Sequence, residues 1–331
     1  MSPLLTVKDL SVRFPLSGNS WFPKKHFFKA VDQLTFDLNP GEILGIVGES
    51  GCGKSTLART IIGLLKPTSG HVYLDGENLT ELDNAEFRSK RQQIQLIFQD
   101  PLAALNPRMT IGNIVAEPLR EFRPELGQSQ IQQEVESILK RVGILPSQIN
   151  RYPHQFSGGQ CQRVGIARAL IVKPQLLLCD EAVSALDVSV QAQIVNLLLD
   201  LKEEMGLSII FISHDLRIVR QLCDRVLVMY LGKVVELNTT KEIYGHPKHP
   251  YTKMLIEAVP APYLKSQFEK PVTVQSSDIL STDIPPAGCA FLLRCPQRQE
   301  KCRETIPALR ESNDNSSVAC HLVELDKVIR E

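Results

Sequence analysis

The run Gly48-Glu49-Ser50-Gly51-Cys52-Gly53-Lys54-Ser55-Thr56 constrains this chain most, because it stands between an apolar stretch at 43–47 and a helical pattern reaching Leu65. A glycine-rich turn from strand to helix is a cradle for phosphate. Its glycines let backbone N–H groups wrap an anion, and the helix N-terminus adds a favourable dipole. In this pattern Lys54 reaches the β- and γ-phosphates of a nucleotide and Ser55 binds Mg²⁺, while Gly48, Glu49, Ser50, Gly51, Cys52, Gly53 and Thr56 complete the lining. Cys52 reads as a small loop residue. The bland alternative, a glycine-rich turn matched by chance, must place strand, helix, lysine and serine in register by accident.

Much further along, Leu176-Leu177-Leu178-Cys179-Asp180-Glu181 is an apolar strand ending in two acids. Such a strand supplies the other half of the site: Asp180 is placed to hold Mg²⁺, and Glu181 to orient or deprotonate the attacking water. A buried carboxylate is costly without a cation. Alone, an apolar run ending in acids is an ordinary strand edge, so its meaning comes from the phosphate loop.

Short aliphatic runs at 43–47, 94–98, 176–179, 209–212 and 226–229 alternate with helical patterns, which is the rhythm of an α/β fold with a parallel sheet. Two stripes have helical spacing. Ile131, Val135, Ile138, Leu139 and Val142 form one, and Val190, Ile194, Leu197, Leu198, Leu201 and Met205 the other; both read as packing faces. The stretch 101–153 is poor in strand signal and reads as a helical insertion. Pro260, Pro262, Pro271, Pro285 and Pro286 then mark an extended linker, and no internal repeat is present.

Lys plus Arg equals Asp plus Glu at 37 each, which gives no global signature for nucleic acid or an anionic membrane. No apolar run approaches the ~20 residues that span a bilayer, and the start lacks a basic stretch followed by an apolar one. The chain is expected to be cytosolic, with any membrane link made through a partner. Of the cysteines, Cys52, Cys161, Cys179 and Cys223 are scattered, whereas Cys289, Cys295, Cys302 and Cys320 are grouped. A secreted disulfide scaffold does not look like that.

The decisive residues are Ser157-Gly158-Gly159-Gln160, followed by Arg163. With the phosphate loop and the Asp180-Glu181 pair, they resemble the signature motif of ATP-binding cassette (ABC) ATPases, and the resemblance covers roughly 4–259. Gln99 resembles the family's Q-loop, Ser184-Ala185-Leu186-Asp187 its D-loop, and His214 its switch histidine. Phe14 resembles the aromatic that stacks on adenine, with Trp21, Phe27 and Phe28 as competitors around an insertion at 17–29. Phe156, Cys161 and Ala182-Val183 depart mildly from the commonest family pattern and remove no phosphate, metal or water ligand. They resemble instead the branch serving dipeptide, oligopeptide and nickel permeases, as do Asp100-Pro101-Leu102-Ala103-Ala104-Leu105-Asn106-Pro107-Arg108 and His249-Pro250-Tyr251-Thr252. His246 and His249 could pair on a metal, but beside Pro247 and Pro250 a structural turn is the better reading.

The resemblance implies a phosphate-loop ABC core at 1–259 with an antiparallel β portion, a helical subdomain at about 101–155, a linker at 260–288 and a four-cysteine region at 289–331. It implies ATP and Mg²⁺ as cofactors, with Ser55, Gln99 and Asp180 around the metal and Glu181, His214, Lys54 and Gln99 in catalysis. The implied assembly is a head-to-tail dimer with a sister ATPase or a second copy, in which Asp187 and the Ser157, Gly158, Gly159 and Gln160 signature complete the partner's site. Two integral-membrane permease subunits would hold it at the cytoplasmic face of the plasma (inner) membrane, with a substrate-binding protein acting indirectly. Peptides are the expected cargo. Nickel or glutathione import, and a soluble ABC ATPase acting on nucleic acid or ribosomes, are the alternatives; a single cassette without a basic stripe speaks against the last.

The grouped cysteines are spaced C-x5-C-x6-C-x17-C, without the short pairs that zinc normally shows. Cytosolic thiols so grouped suggest a soft-metal site, against the plainer reading of four reduced thiols in a loop. The permease branch has members with a four-iron cluster on a similar tail, so the resemblance implies [4Fe–4S] at Cys289, Cys295, Cys302 and Cys320.

Overall fold

The structure, a computed structural model, describes residues 2–15, 27–259, 288–311 and 316–323. The five aliphatic runs become adjacent parallel strands of one sheet. These are β3 (Ile43–Val47), β6 (Ile94–Ile97), β7 (Leu176–Asp180), β8 (Ser208–Ile212) and β9 (Arg225–Tyr230), ordered β9-β3-β8-β7-β6. Every residue of β3, β7 and β8 is buried, as expected for strands covered on both faces. Phe98 falls just past the end of β6 and is 42% exposed, so the apolar run overshot the strand.

The early part of the chain builds a second, antiparallel sheet. Its strands β1 (Leu5–Pro15), β2 (Phe27–Leu38), β4 (Ser69–Leu74) and β5 (Glu77–Asn78) are ordered β2-β1-β4-β5. Between the two sheets, Leu5, Leu10, Leu34 and Leu38 pack in one cluster with Leu44, Ile46, Leu57 and Ile61. Ile46 belongs to β3, and Leu57 to α1 (Lys54–Ile61) that follows the phosphate loop. The loop is therefore wedged between two rigid layers.

The insertion expected at 101–153 carries the helices α3 (Ile111–Phe122) and α4 (Gln128–Arg141), while α2 (Asn84–Lys90) lies before it, ahead of β6. On α4 the predicted stripe of Ile131, Val135, Ile138 and Leu139 is buried. The second stripe lies on α6 (Val188–Met205), which follows α5 (Gly158–Leu170); Ile194, Leu198 and Leu201 are buried there, while Val190, Leu197 and Met205 are partly buried. Beyond α7 (Leu216–Leu222), strand β10 (Lys233–Thr239) turns back antiparallel to β9 and leads into α8 (Thr240–Gly245) and α9 (Pro250–Glu257).

His246 and His249 do not face one metal. His249 is 2% exposed and caps α9, its Nδ1 accepting from the Tyr251 N–H at 3.0 Å. Burial pushes its pKa down to about 4, which keeps the ring neutral and able to accept. His246 is exposed and sits 3.4 Å from Glu242.

The C-terminal region adds α10 (Lys301–Glu304), β11 (Arg310–Glu311) and β12 (Ser317–Val318). It does not stand apart from the cassette: β12 pairs with Glu236 and Leu237 of β10, extending the main sheet. Phe291 is 1% exposed and meets Tyr230 edge-on at 5.3 Å. The stretch 260–288 expected as a linker lies outside the described residues except for Gly288.

Candidate functional site

The phosphate loop is set by contacts that only glycine permits. Gly53 has φ +106, and a Cβ there would lie 2.0 Å from the Ala30 carbonyl oxygen. Lys54 is 5% exposed, and its ammonium donates to the carbonyl oxygens of Gly48 at 2.8 Å and Glu49 at 3.0 Å. The lysine thus folds back over the loop it serves.

Beside it, the Ser55 hydroxyl donates to Asp180 Oδ1 at 2.9 Å. Burial raises the Asp180 carboxyl above its ordinary range, opposed by that hydrogen bond and reinforced by neighbouring Glu181. A carboxylate in this state suits a cation, because a positive ion would offset the cost of burying its charge. Ser55 and Asp180 therefore fit Mg²⁺ as a donor pair.

Glu181 leaves the end of β7 with φ +50, a backbone conformation that costs a non-glycine residue about 1 kcal/mol or more. The turn brings three predicted residues together. Gln99 Nε2 donates to Glu181 Oε2 at 2.9 Å, and His214 Nδ1 lies 3.6 Å from the same oxygen, close but beyond a good hydrogen bond. Gln99, expected at the metal, is tied here to the carboxylate instead. Ser184 Oγ donates to the Glu181 carbonyl at 2.9 Å, fixing the turn.

The signature stands elsewhere. Ser157 caps α5 in a reciprocal box with Gln160: Ser157 N–H donates to Gln160 Oε1 at 3.0 Å, and Gln160 N–H to Ser157 Oγ at 3.3 Å. Gly159 lets α6 approach, since a Cβ there would meet Val190 Cγ1 at 2.5 Å. Arg163 braces the arrangement by donating to the Val142 carbonyl at 2.9 Å and Gln193 at 3.0 Å. Ser157 and Gly158 are exposed, and among the described residues no hydrogen bond links the signature to the phosphate loop of the same chain. Asp187, also exposed, caps α6 by accepting from Val190 N–H at 3.0 Å.

Phe14 is 39% exposed near the end of β1 and pairs in register with Phe28, which puts both rings on one face of the sheet. Phe27 opposes Pro15, and Trp21 lies outside the described residues.

Comparison with known proteins agrees with these motifs. A sequence profile of the ABC transporter family matches residues 31–184, and one for the oligopeptide/dipeptide transporter C-terminal region matches residues 235–302. Oligopeptide transport ATP-binding protein OppF of Escherichia coli (strain K12) is 54% identical over 320 residues, covering 96% of this chain and 95% of that protein. The chain belongs to the ABC transporter family. Another member, oligopeptide transport ATP-binding protein AppF of Bacillus subtilis (strain 168), is 46% identical over 320 residues, 96% of this chain and 97% of its own length. The family's fold is shared as well. A dimeric structure of the ATP-binding cassette MJ0796 in a post-hydrolysis state, bound to ADP and Pi, superposes with TM-score 0.64 at 30% identity, covering 71% of this chain and 98% of that one.

In this ABC protein two features escaped the sequence. One is a groove of about 400 Å³ between β6 and the helical insertion, lined by Leu64, Phe98, Leu105, Pro118 and Phe122 among others. The other is a layer behind the phosphate loop, where the Tyr251 hydroxyl accepts from the Glu49 N–H at 3.0 Å and Arg294 pairs with the Glu49 side chain. The HPYT run marked Tyr251 only as part of a branch resemblance, with no link to the phosphate loop.

Proposed function

We propose that this chain is the ATP-binding and ATP-hydrolysing subunit that powers an ABC importer of oligopeptides. The observation that carries the ATPase reading is the meeting of Gln99, Glu181 and His214 beside the Ser55–Asp180 pair and Lys54, all at the C-terminal end of one parallel sheet. In open α/β sheets that end is where ligands bind. The oligopeptide reading rests on relatives with that name matched along nearly the whole chain, which favours peptides over nickel or glutathione.

Lys54 exchanges its two carbonyl partners for phosphate oxygens, a stronger charge-assisted contact. Ser55, Asp180 and Gln99 would hold Mg²⁺, which would supply positive charge against the negative charge of the phosphates. Glu181 then takes or orients the proton of the attacking water, with His214 positioned nearby. The exposed N-terminus of α5, thirteen residues long, offers N–H groups to the ATP of a facing subunit, either a sister ATPase or a second copy. Phe14 is the proposed adenine platform.

Among the described residues no helix is long and apolar enough to cross a membrane. The groove beside the exposed Phe98 and Leu64 would receive a short helix from a permease subunit, so that nucleotide-driven movement felt at Gln99 reaches the membrane partner. The chain in this reading works at the cytoplasmic face of the plasma membrane. In this reading 1–259 form the ATPase domain, about 101–155 its helical subdomain and 289–331 the four-cysteine region.

Burial raises the Cys289 thiol to about 11, with Cys302, Cys320 and Cys295 contributing to that rise. Among the described residues no three His, Cys, Asp or Glu are gathered so as to hold one metal ion, so the iron–sulfur expectation rests on the four-cysteine pattern and the branch resemblance. A cluster there would supply a structural or redox role; ATP chemistry needs no electrons.

Affinity capture of the tagged chain from detergent-solubilised membranes tests the transporter reading. We expect two multi-span membrane proteins and a second cassette to be retained. Recovery with ribosomes, or as a lone soluble protein, would contradict it.

A further inference from the structure

The C-terminal region reaches the phosphate loop through the Arg294 side chain. Arg294 donates from Nη1 to Glu49 Oε2 at 2.7 Å and from Nη2 to Glu49 Oε1 at 2.8 Å, a two-pronged ion pair between residues 245 apart in sequence. Its side chain is only 15% exposed and its guanidinium lies 5.7 Å from the Tyr230 ring and 5.8 Å from the Phe291 ring. Tyr230, Tyr251 and Phe291 pack against one another, and Tyr251 also takes the Glu49 backbone N–H. The turn that carries Arg294 is closed by the Cys295 N–H donating to the Phe291 carbonyl at 3.0 Å, and the Cys289 N–H donates to the Cys302 carbonyl at 2.8 Å. The cysteine region thus fixes where Arg294 stands.

Glu49 is a poor residue for a loop that must wrap a polyanion. A free carboxylate there repels phosphate. The Arg294 fork engages both carboxylate oxygens and offsets that repulsion. We propose that Arg294 is a positioning residue for nucleotide binding, through which the four-cysteine region sets the affinity of the phosphate loop for triphosphate. This rests on the ATP reading above and goes beyond it, since it assigns the C-terminal region a share in the nucleotide site.

Equilibrium binding of ATP to the full chain, with KM and kcat in the assembled transporter, tests the assignment. Arg294→Ala is expected to weaken ATP binding and raise KM by about tenfold, the order of a charge-assisted pair, while kcat at saturation stays within about twofold. Arg294→Lys keeps the charge and loses the fork, and should fall between. Glu49→Gln combined with Arg294→Ala should recover most of the affinity, because the charge that needed Arg294 is gone. Wild-type affinity in folded Arg294→Ala, or a double variant as weak as the single one, would overturn the proposal. If Arg294→Ala does not fold by circular dichroism, Arg294→Lys with and without Glu49→Gln carries the same comparison. Wild type that fails to bind ATP would sink the nucleotide reading itself, whereas binding by wild type and Arg294→Ala alike sinks only this inference.

Discussion

Glu181→Gln should lower ATP turnover in the assembled transporter by about 10³-fold while leaving ATP binding intact, since a positioned base contributes rate of that order. The substitution is nearly isosteric. It keeps an oxygen for the Gln99 amide, now 2.9 Å away, and loses only the carboxylate that can take a proton from water. The strained turn at Glu181 also survives, because Ser184 holds it through the backbone carbonyl and not the side chain. Phosphate release at saturating Mg-ATP measures the rate, and retained binding separates a catalytic defect from a folding one. Turnover like wild type would mean that another group handles the water.

Lys54→Ala should fail earlier, at binding. The ammonium is buried and, without nucleotide, satisfied by the Gly48 and Glu49 carbonyls. Removing it strips the loop of its principal cation and leaves those carbonyls without their donor. Each charged hydrogen bond is worth about 1.5–3 kcal/mol, so ATP affinity should drop by about 100-fold. Nucleotide titration of Lys54→Ala beside Glu181→Gln should show opposite patterns: affinity lost in the first, turnover in the second. Equal affinity in both would contradict the role given to Lys54.

The residues that identified the chain were readable in sequence because each sits where backbone geometry is local. The phosphate loop is one strand, one turn and one helix, and Asp180-Glu181 is the end of a strand buried along its whole length. The same is true of the capping box at Ser157 and Gln160, which needs only residues three apart. The five core strands were legible from their aliphatic runs, although the run at 94–98 overshot β6 by one residue. What escaped depends on distant pairings. Arg294 reaches Glu49 only because the chain returns to the cassette through β12 on β10 and Phe291 in the aromatic cluster, and two-residue strands leave almost no periodic signal. The groove at Phe98 is formed by elements from both sides of β6, so no single stretch announces it. Gln99 on Glu181 was likewise hidden, because a metal ligand and a carboxylate partner look the same in sequence.

The most direct test is phosphate release from Mg-ATP by the chain reconstituted in liposomes with the proposed permeases, second cassette and binding protein, measured with and without peptide. Peptide-stimulated hydrolysis with peptide accumulating inside the vesicles is the expected result, the stimulation lost in Glu181→Gln. Hydrolysis that ignores peptide and the permeases, or peptide entry that continues without ATP, would contradict an ATP-driven peptide importer.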